Sequence, residues 1–345
     1  MYQIIASYIW SARIRLHDLI GAYCLRDRSA TINVQSDADG DLVRVIRVRL
    51  GARVYDQTTS ELTPKVIGEG AYGVVYRIYG RRSRVALKWV RTMDRDTAFR
   101  ECIDTCAKFG TASGVLRSRP LRLNVQDESG LPVPRCARNG DCFVHRHPTT
   151  NMFSCFCVSE LCVGDLRTLL EDASQTWTDD RLMGYAHSVL SGLAVLMSRQ
   201  YCHTDLKMTN VLITKNDIAV LGDVGSICAR SVAHSNPCTF PSPRALIDAP
   251  EYTDVDVVWS IAILIIEMFY TVTCAYKHRN GLYTDLRHEN LRNYTGCPHL
   301  RVDCLHNHSV RCAKQVSDFP RLRALLTRCV EMSLTGECNL MLLHG

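Results

Sequence analysis

Eight consecutive residues, His203-Thr204-Asp205-Leu206-Lys207-Met208-Thr209-Asn210, constrain this chain more than any other stretch. They crowd a carboxylate, an ammonium and a carboxamide into one short loop, and their flanks say where that loop lies. Before it, apolar side chains recur at 182, 183, 186, 189, 190, 193 and 196, the spacing of a helix over 179–197 with one buried face. After it, two short β-prone runs, Val211-Leu212-Ile213 and Ile218-Ala219-Val220-Leu221, are joined through Lys215-Asn216-Asp217, which predicts a hairpin. Thirteen residues beyond Asn210 stands a second acid, in Asp223-Val224-Gly225. An aspartate in the first loop can orient a hydroxyl and accept its proton, while an asparagine and a further aspartate offer the hard oxygen ligands that magnesium takes.

The upstream half reads differently. From Pro64 to Val90 the pattern is strand, glycine turn, strand, turn, strand, with β-prone runs at Val66-Ile67, at 74–79 and at Val85-Ala86-Leu87. The turn is Gly68-Glu69-Gly70-Ala71-Tyr72-Gly73-Val74-Val75, a G-x-G-x-x-G-x-V pattern in which glycines let backbone amides approach phosphates closely. A dinucleotide-binding turn is the competing reading. The strand that follows the glycines argues against it, because a dinucleotide fold needs a helix there. Lys88 ends the next strand, and residues 94–109 have helical spacing with Glu101 as the carboxylate suited to hold that lysine. Asn139-Gly140 predicts a hairpin turn within the proline-rich 131–147, and 153–161 is a continuous apolar run that reads as a buried strand.

Composition narrows the class further. Hydrophobic residues make up 46% and charged residues 22%, enough to build a core and too apolar for wholesale disorder. The net charge of +6, from 41 Lys+Arg against 35 Asp+Glu, is too small to argue for nucleic acid and suits a polyanion such as ATP equally well. The 17 cysteines are odd in number and irregularly spaced, and the apolar start from Met1 to Trp10 lacks the basic region and cleavage site of a signal peptide, so reduced thiols are expected. The longest apolar run, Val257 to Ile266, stops at Glu267 and is too short to span a bilayer, so it reads as a buried helix. Residues 1–63 form a leader in which 42–50, with arginines at 44, 47 and 49, reads as a solvated edge strand behind the turn-rich 37–40.

The ordered set from Gly68 to Ala249-Pro250-Glu251 and Trp259-Ser260 resembles the eukaryotic protein-kinase family, over roughly residues 64–345. Six pieces in the right order are far more specific than any one of them. The resemblance implies an α+β, two-lobed fold, with a β-rich N-lobe over about 64–161 and a helical C-lobe over about 162–345, and ATP in the cleft between lobes. By the same comparison Asp205 is the catalytic base and Lys207 steadies the γ-phosphate, as in serine/threonine kinases. Asn210 and Asp223 are the magnesium ligands. Ile67, Gly68, Glu69, Gly70, Ala71, Tyr72, Gly73 and Val74 cover the nucleotide. Lys88, fixed by Glu101, holds its phosphates. Val75, Ala86 and Leu212 sandwich adenine, the backbone of Glu160 and Cys162 meets its edge, and Ser159 is a small gatekeeper. Protein substrates are the expected partners, with neither nucleic acid nor membrane, and the expected location is intracellular, cytoplasmic or nuclear.

The sequence also departs from the family's pattern. Thr204 stands where an arginine commonly pairs with an activation-loop phosphate, which argues against switching by phosphorylation there. Val224 replaces a phenylalanine, Asp256 lies three residues before Trp259 instead of two, Ala262 occupies a glycine position, and Glu251 lacks its usual arginine unless Arg244 serves. Such divergence resembles that of kinases from large DNA viruses, herpesviruses included. It also leaves a pseudokinase scaffold as the alternative, opposed by the presence together of Lys88, Glu101, Asp205, Lys207, Asn210 and Asp223. Two groups, Cys136/Cys142/His145/His147 and Cys297/His299/Cys304/His306/His308/Cys312, have the residue types of a structural zinc site without its paired C-x-x-C spacing. Elemental analysis of the purified chain is therefore expected to find no stoichiometric zinc; about one zinc per chain would contradict this reading.

Overall fold

The computed structural model describes residues 29–36, 38, 42–50, 64–70, 73–79, 84–94, 114–115, 118–119, 122–126, 137–139, 142–147, 149–172, 174–231, 252–273 and 319–335. These fall into two compact units that divide between Cys162 and Val163.

The N-terminal unit is built of strands. β1 (Ser29–Ser36) pairs antiparallel with β2 (Leu42–Leu50) and parallel with β7 (Arg122–Gln126), so β2 takes the end of a sheet ordered β2-β1-β7. The 42–50 strand is thus an edge strand, and through β1 the leader is hydrogen-bonded to the middle of the chain. The second sheet runs β3 (Lys65–Gly70), β4 (Gly73–Tyr79), β5 (Arg84–Thr92), β10 (Phe153–Glu160), β9 (Cys142–Arg146), β8 (Ala137–Asn139), with β6 (Ser118–Arg119) also on β10. β8 and β9 pair antiparallel with Asn139 opposite Cys142, as a hairpin there requires; Gly140 lies outside the described residues. β10 is buried along its length except at its two ends, as its unbroken apolar run predicts.

The core between β5 and β10 shows how the sequence meets its polar obligations. Trp89 lies opposite Phe156 and stacks on it at 5.7 Å with an interplanar angle of 16°. Its indole N–H donates to Ser154 Oγ at 2.9 Å, and that hydroxyl lies 2.7 Å from His147 Nε2. All three side chains are buried, so this chain of bonds satisfies groups that would otherwise be costly. His147 belongs to the first Cys/His group, and its ring is engaged here as a core residue. The 297–312 group and the helix expected over 94–109 lie outside the described residues beyond Asp94. Among the described residues no group of three or more His, Cys, Asp or Glu is placed to hold a metal ion.

The C-terminal unit is mainly helical. Its strands are short: β11 (Gly164–Asp165), β13 (Val211–Ile213) and β14 (Ala219–Leu221) form one sheet, β12 (Tyr201–His203) and β15 (Ile227–Ala229) another. After α1 (Leu166–Leu170), capped by Asp165 on Thr168 N–H, comes α2 (Asp179–Ser198), whose first turn is capped by Thr178 Oγ1 and carries two acids at the positive end of the helix dipole. Its expected apolar positions 182, 183, 186, 189, 190, 193 and 196 are all buried. α3 (Asp254–Thr273) is buried from Val257 to Phe269 except at Ser260, the all-round burial its composition demands. No helix among the described residues is long and apolar enough to cross a membrane.

Two polar clamps hold these helices. The Asp179 carboxylate accepts the backbone N–H groups of Arg321 (2.9 Å) and Leu322 (3.1 Å), so an acid in the first turn of α2 caps the first turn of α4 (Pro320–Thr335). Asp180 pairs with the Arg321 guanidinium beside it, and Phe269 meets Phe319 edge-on at 6.4 Å. At the hairpin, Arg181 forks onto Asp217 (Nε 3.0 Å, Nη2 2.9 Å) while Tyr185 O–H donates to the same carboxylate at 2.5 Å. Burial, and then that hydrogen bond, push the Tyr185 phenol well above its ordinary range, so it stays a donor. Asp179→Ala should lower unfolding free energy by about 1 kcal/mol, read from urea midpoints at constant slope, with Asp179→Asn losing less. An unchanged midpoint in Asp179→Ala would show that the cap contributes nothing.

Candidate active site

The eight-residue loop is fastened at both ends by backbone. β12 and β15 pair as Tyr201↔Ala229, Cys202↔Cys228 and His203↔Ile227, and the ladder continues through Thr204 N–H to Ser226 O (3.0 Å) and Arg230 N–H to Gln200 O (3.1 Å). This ties the strand that leads into Asp205 to the strand that leaves Asp223. A second seam crosses behind: Gly222 N–H donates to Asn210 O at 2.7 Å. His203 braces both. Its Nδ1 accepts Asp205 N–H at 3.3 Å, so the ring hydrogen is on Nε2 and donates to Gly222 O at 2.9 Å. Gly222 has no room for a side chain, since a Cβ would lie 2.9 Å from Leu212 Cγ and 3.1 Å from Asn210 O.

Within this frame the reactive groups converge. Asp205 Oδ2 takes the Lys207 ammonium at 2.5 Å and the Asn210 amide at 3.0 Å, and the same amide reaches Asp205 O at 2.7 Å. Both atoms facing Asn210 are acceptors, so its nitrogen must face them and its side-chain oxygen faces elsewhere. Asp205 is about one-fifth exposed on its side chain and Lys207 about one-third (18% and 32%), so the pair is reachable from solvent. Asp223 sits in the left-handed region at φ 43° and ψ 59°, a conformation costing a non-glycine residue about 1–2 kcal/mol, and leads a single 3-10 turn over Val224–Ser226. The Asn210 side-chain oxygen and the Asp223 carboxylate are an all-oxygen donor set, joined by the Gly222 bridge. That set fits a hard divalent cation such as magnesium.

The N-terminal unit carries the glycine turn and the lysine. Ile67 is the residue left over where the β3–β4 register shifts between Val66 and Gly68, and it is exposed, as is Glu69. Gly68 pairs with Val75, Glu69 with Val74 and Gly70 with Gly73; Ala71 and Tyr72 lie outside the described residues. Gly73 is obligatory, because a Cβ there would come 2.0 Å from Trp89 O. Lys88 lies between Val75 on β4 and Cys157 on β10, half-buried in the middle of the sheet. Glu101 is outside the described residues. Ala86 is buried opposite Ser159, and Glu160 lies opposite Val85, so the strand expected to meet adenine is in register with the expected adenine wall. Burial, with the Glu160 carboxylate nearby, pushes the Cys162 thiol far above its usual range. Leu212, in the C-terminal unit, is half-buried on β13.

The departures from the family's pattern have local roles. Thr204 is buried, and its hydroxyl donates to Ser226 O at 3.1 Å. Val224 is buried where the larger ring was expected. Asp256 is buried and accepts from Thr253 N–H (2.7 Å) and Oγ1 (3.0 Å), so its carboxylate reaches back to the residue that precedes α3, as the acid of a capping box does. Ala249, Pro250, Glu251 and Arg244 lie outside the described residues. Arg230 went unnoticed in the sequence. Its Nε donates to Tyr252 O at 2.7 Å, its carbonyl accepts Tyr252 N–H at 3.2 Å, and its Nη2 lies 3.9 Å from Asp254, so it pins together the two ends of the 231–251 segment. A lone arginine in a loop carries no spacing signal that could have marked it.

Comparison with known proteins bears on the family of the chain. The profile of the protein kinase domain matches residues 146–334, more than half of the chain. The chain is 24% identical over 278 residues to mitogen-activated protein kinase homolog MMK2 of Medicago sativa, covering 73% of this chain and 69% of that one. To mitogen-activated protein kinase 4a of Physcomitrium patens it is 26% identical over 234 residues, 64% of this chain and 56% of the relative. To serine/threonine-protein kinase TAO2 of Rattus norvegicus it is 30% identical over 135 residues, 36% of this chain and 11% of the relative. The chain therefore spans little more than half of the second relative and about a tenth of the third. The strand-rich N-terminal unit, the helical C-terminal unit and the matched profile have one reading: this chain has the two-lobed kinase fold and belongs to the protein kinase family.

Proposed function

We propose that the chain is an active kinase that transfers the γ-phosphoryl group of ATP to serine or threonine hydroxyls of protein substrates. The observation that carries this reading is the Asp205 carboxylate, held through one oxygen by both Lys207 and Asn210 on its own loop. Magnesium, when bound, would offset phosphate charge and fix the geometry of the phosphate chain, with Asn210 and Asp223 as its protein ligands. Asp205 orients the substrate hydroxyl and accepts its proton as the oxygen–phosphorus bond forms and the bond from the γ-phosphorus to the β,γ-bridging oxygen breaks, releasing ADP. Lys207 places a positive charge beside that carboxylate, where it can meet the negative charge of the γ-phosphate. Lys88 serves the α- and β-phosphates, and the glycine turn covers them with backbone amides. Lysine at 207, with serine/threonine kinases among the similar proteins, supports hydroxyl specificity of that class. On this reading the kinase domain runs from about residue 64 to 345, with 1–63 as a leader whose β1 extends onto β7.

The second reading, a pseudokinase scaffold, draws on Thr204 and Val224 and parts from the first at turnover. Phosphotransfer from labelled ATP with magnesium, followed by phosphoamino-acid analysis, should give label on serine and threonine. Asp205→Asn should lower that rate by about 10²–10⁴-fold with nucleotide binding intact, and Lys88→Met should abolish it in a folded protein. Normal turnover in Asp205→Asn would remove the aspartate from its assigned role. No transfer by the wild type, with nucleotide bound, would establish the scaffold.

A further inference from the structure

Ser226 belongs to none of the motifs that carry the phosphotransfer reading, and Thr204 is where the His203–Asn210 loop departs from the family's pattern, yet both hydroxyls point at the site's framework. The 3-10 turn after Asp223 brings residue 226 back over residue 223, with Ser226 N–H donating to Asp223 O at 2.9 Å. A serine so placed has one hydrogen to give, and it gives it to Asp223 Oδ2 at 2.8 Å. The carboxylate cannot turn about its side-chain torsions without breaking that bond. Ser226 is itself held from the other strand: its carbonyl accepts both Thr204 N–H at 3.0 Å and Thr204 Oγ1–H at 3.1 Å. Thr204 is buried and β-branched, so its rotamer is stiff. The residue adjoining Asp205 thus sets the position of the residue that orients Asp223.

We infer that Ser226 is a positioning residue for the divalent cation, orienting the Asp223 carboxylate, and that Thr204 supports it through the Ser226 carbonyl. This rests on the phosphotransfer reading only in taking Asp223 as a metal ligand. A hydrogen bond from a neutral hydroxyl to a ligating carboxylate fixes the direction of its lone pairs without cancelling its charge, and loss of such outer partners weakens metal binding while the ligands themselves remain. The serine is suited to the task by size as well as chemistry, since the turn that holds it is one residue from the β15 ladder and leaves the hydroxyl within reach of a single oxygen.

The test uses the full chain with ADP and manganese as the probe cation, reading free manganese by electron paramagnetic resonance, with melting of the metal-free proteins and phosphotransfer measured on the same preparations. Ser226→Ala is expected to weaken manganese binding about ten- to a hundredfold. Ser226→Thr, which restores the hydroxyl, should bind within about threefold of wild type, and Thr204→Val, which keeps the shape and the backbone bond, should lose about threefold. Manganese affinity in Ser226→Ala equal to wild type, or a loss as large in Ser226→Thr as in Ser226→Ala, overturns the assignment, whatever happens to the melting temperature. Should Ser226→Ala not fold, Thr204→Val decides alone, and unchanged affinity there overturns the relay. Wild-type transfer with serine-independent metal binding sinks this inference and leaves the kinase reading standing; serine-dependent binding without transfer does the reverse.

Discussion

The chemistry of the C-terminal unit depends on one short antiparallel seam, the β12–β15 pairing extended through Thr204–Ser226 and Gln200–Arg230. It joins two stretches of chain that would otherwise be independent loops, one ending in Asp205 and one beginning at Asp223. A three-residue ladder is a weak element by itself. Here it is backed by α2, whose buried face packs beneath it, and by the Gly222 bridge to Asn210. Removing any layer would leave carboxylates close in sequence to the right partners but free to rotate, and metal or hydroxyl recognition tolerates little of that.

The same logic explains which residues must be small or polar at this site. Gly222 lets Leu212 and the Asn210 carbonyl approach. His203 presents one acceptor and one donor, so it can bond to both seams at once, which an apolar residue of similar size could not do. The divergent positions are not simply lost contacts. Thr204 carries no charge to attract an activation-loop phosphate, but its hydroxyl adds a second bond to the Ser226 carbonyl. Asp256 is displaced by one residue from the family's spacing and acts where it stands, at the start of α3. Arg230 holds Tyr252 and Asp254 at the far end of the 231–251 segment.

Much of this was legible in the sequence, and the reasons are specific. Periodicity marked α2 and an unbroken apolar run marked α3 because each buries a large apolar surface, while turn residues between two β-prone runs marked the Val211–Leu221 hairpin. The octapeptide named the candidate reactive groups. What periodicity could not show were contacts between distant residues. β12 and β15 are three residues each, too short to carry a pattern. The Asp179 cap on α4 joins residues 142 positions apart, and the Trp89–Ser154–His147 chain looks, in sequence, like a histidine free to bind metal. β1 did carry a signal, the alternation of Ala30, Ile32 and Val34 with Thr31, Asn33 and Gln35, but its parallel pairing with β7 did not.

The central claim is that Asp205, Asn210 and Asp223 are already arranged to receive a metal-bound nucleoside triphosphate. The most direct measurement is a crystal structure of the chain with magnesium and a non-hydrolysable ATP analogue. The account predicts magnesium about 2.0–2.1 Å from side-chain oxygens of both Asn210 and Asp223, with the terminal phosphate facing Asp205. Phosphates bound elsewhere, or a metal that touches neither side chain, would contradict it.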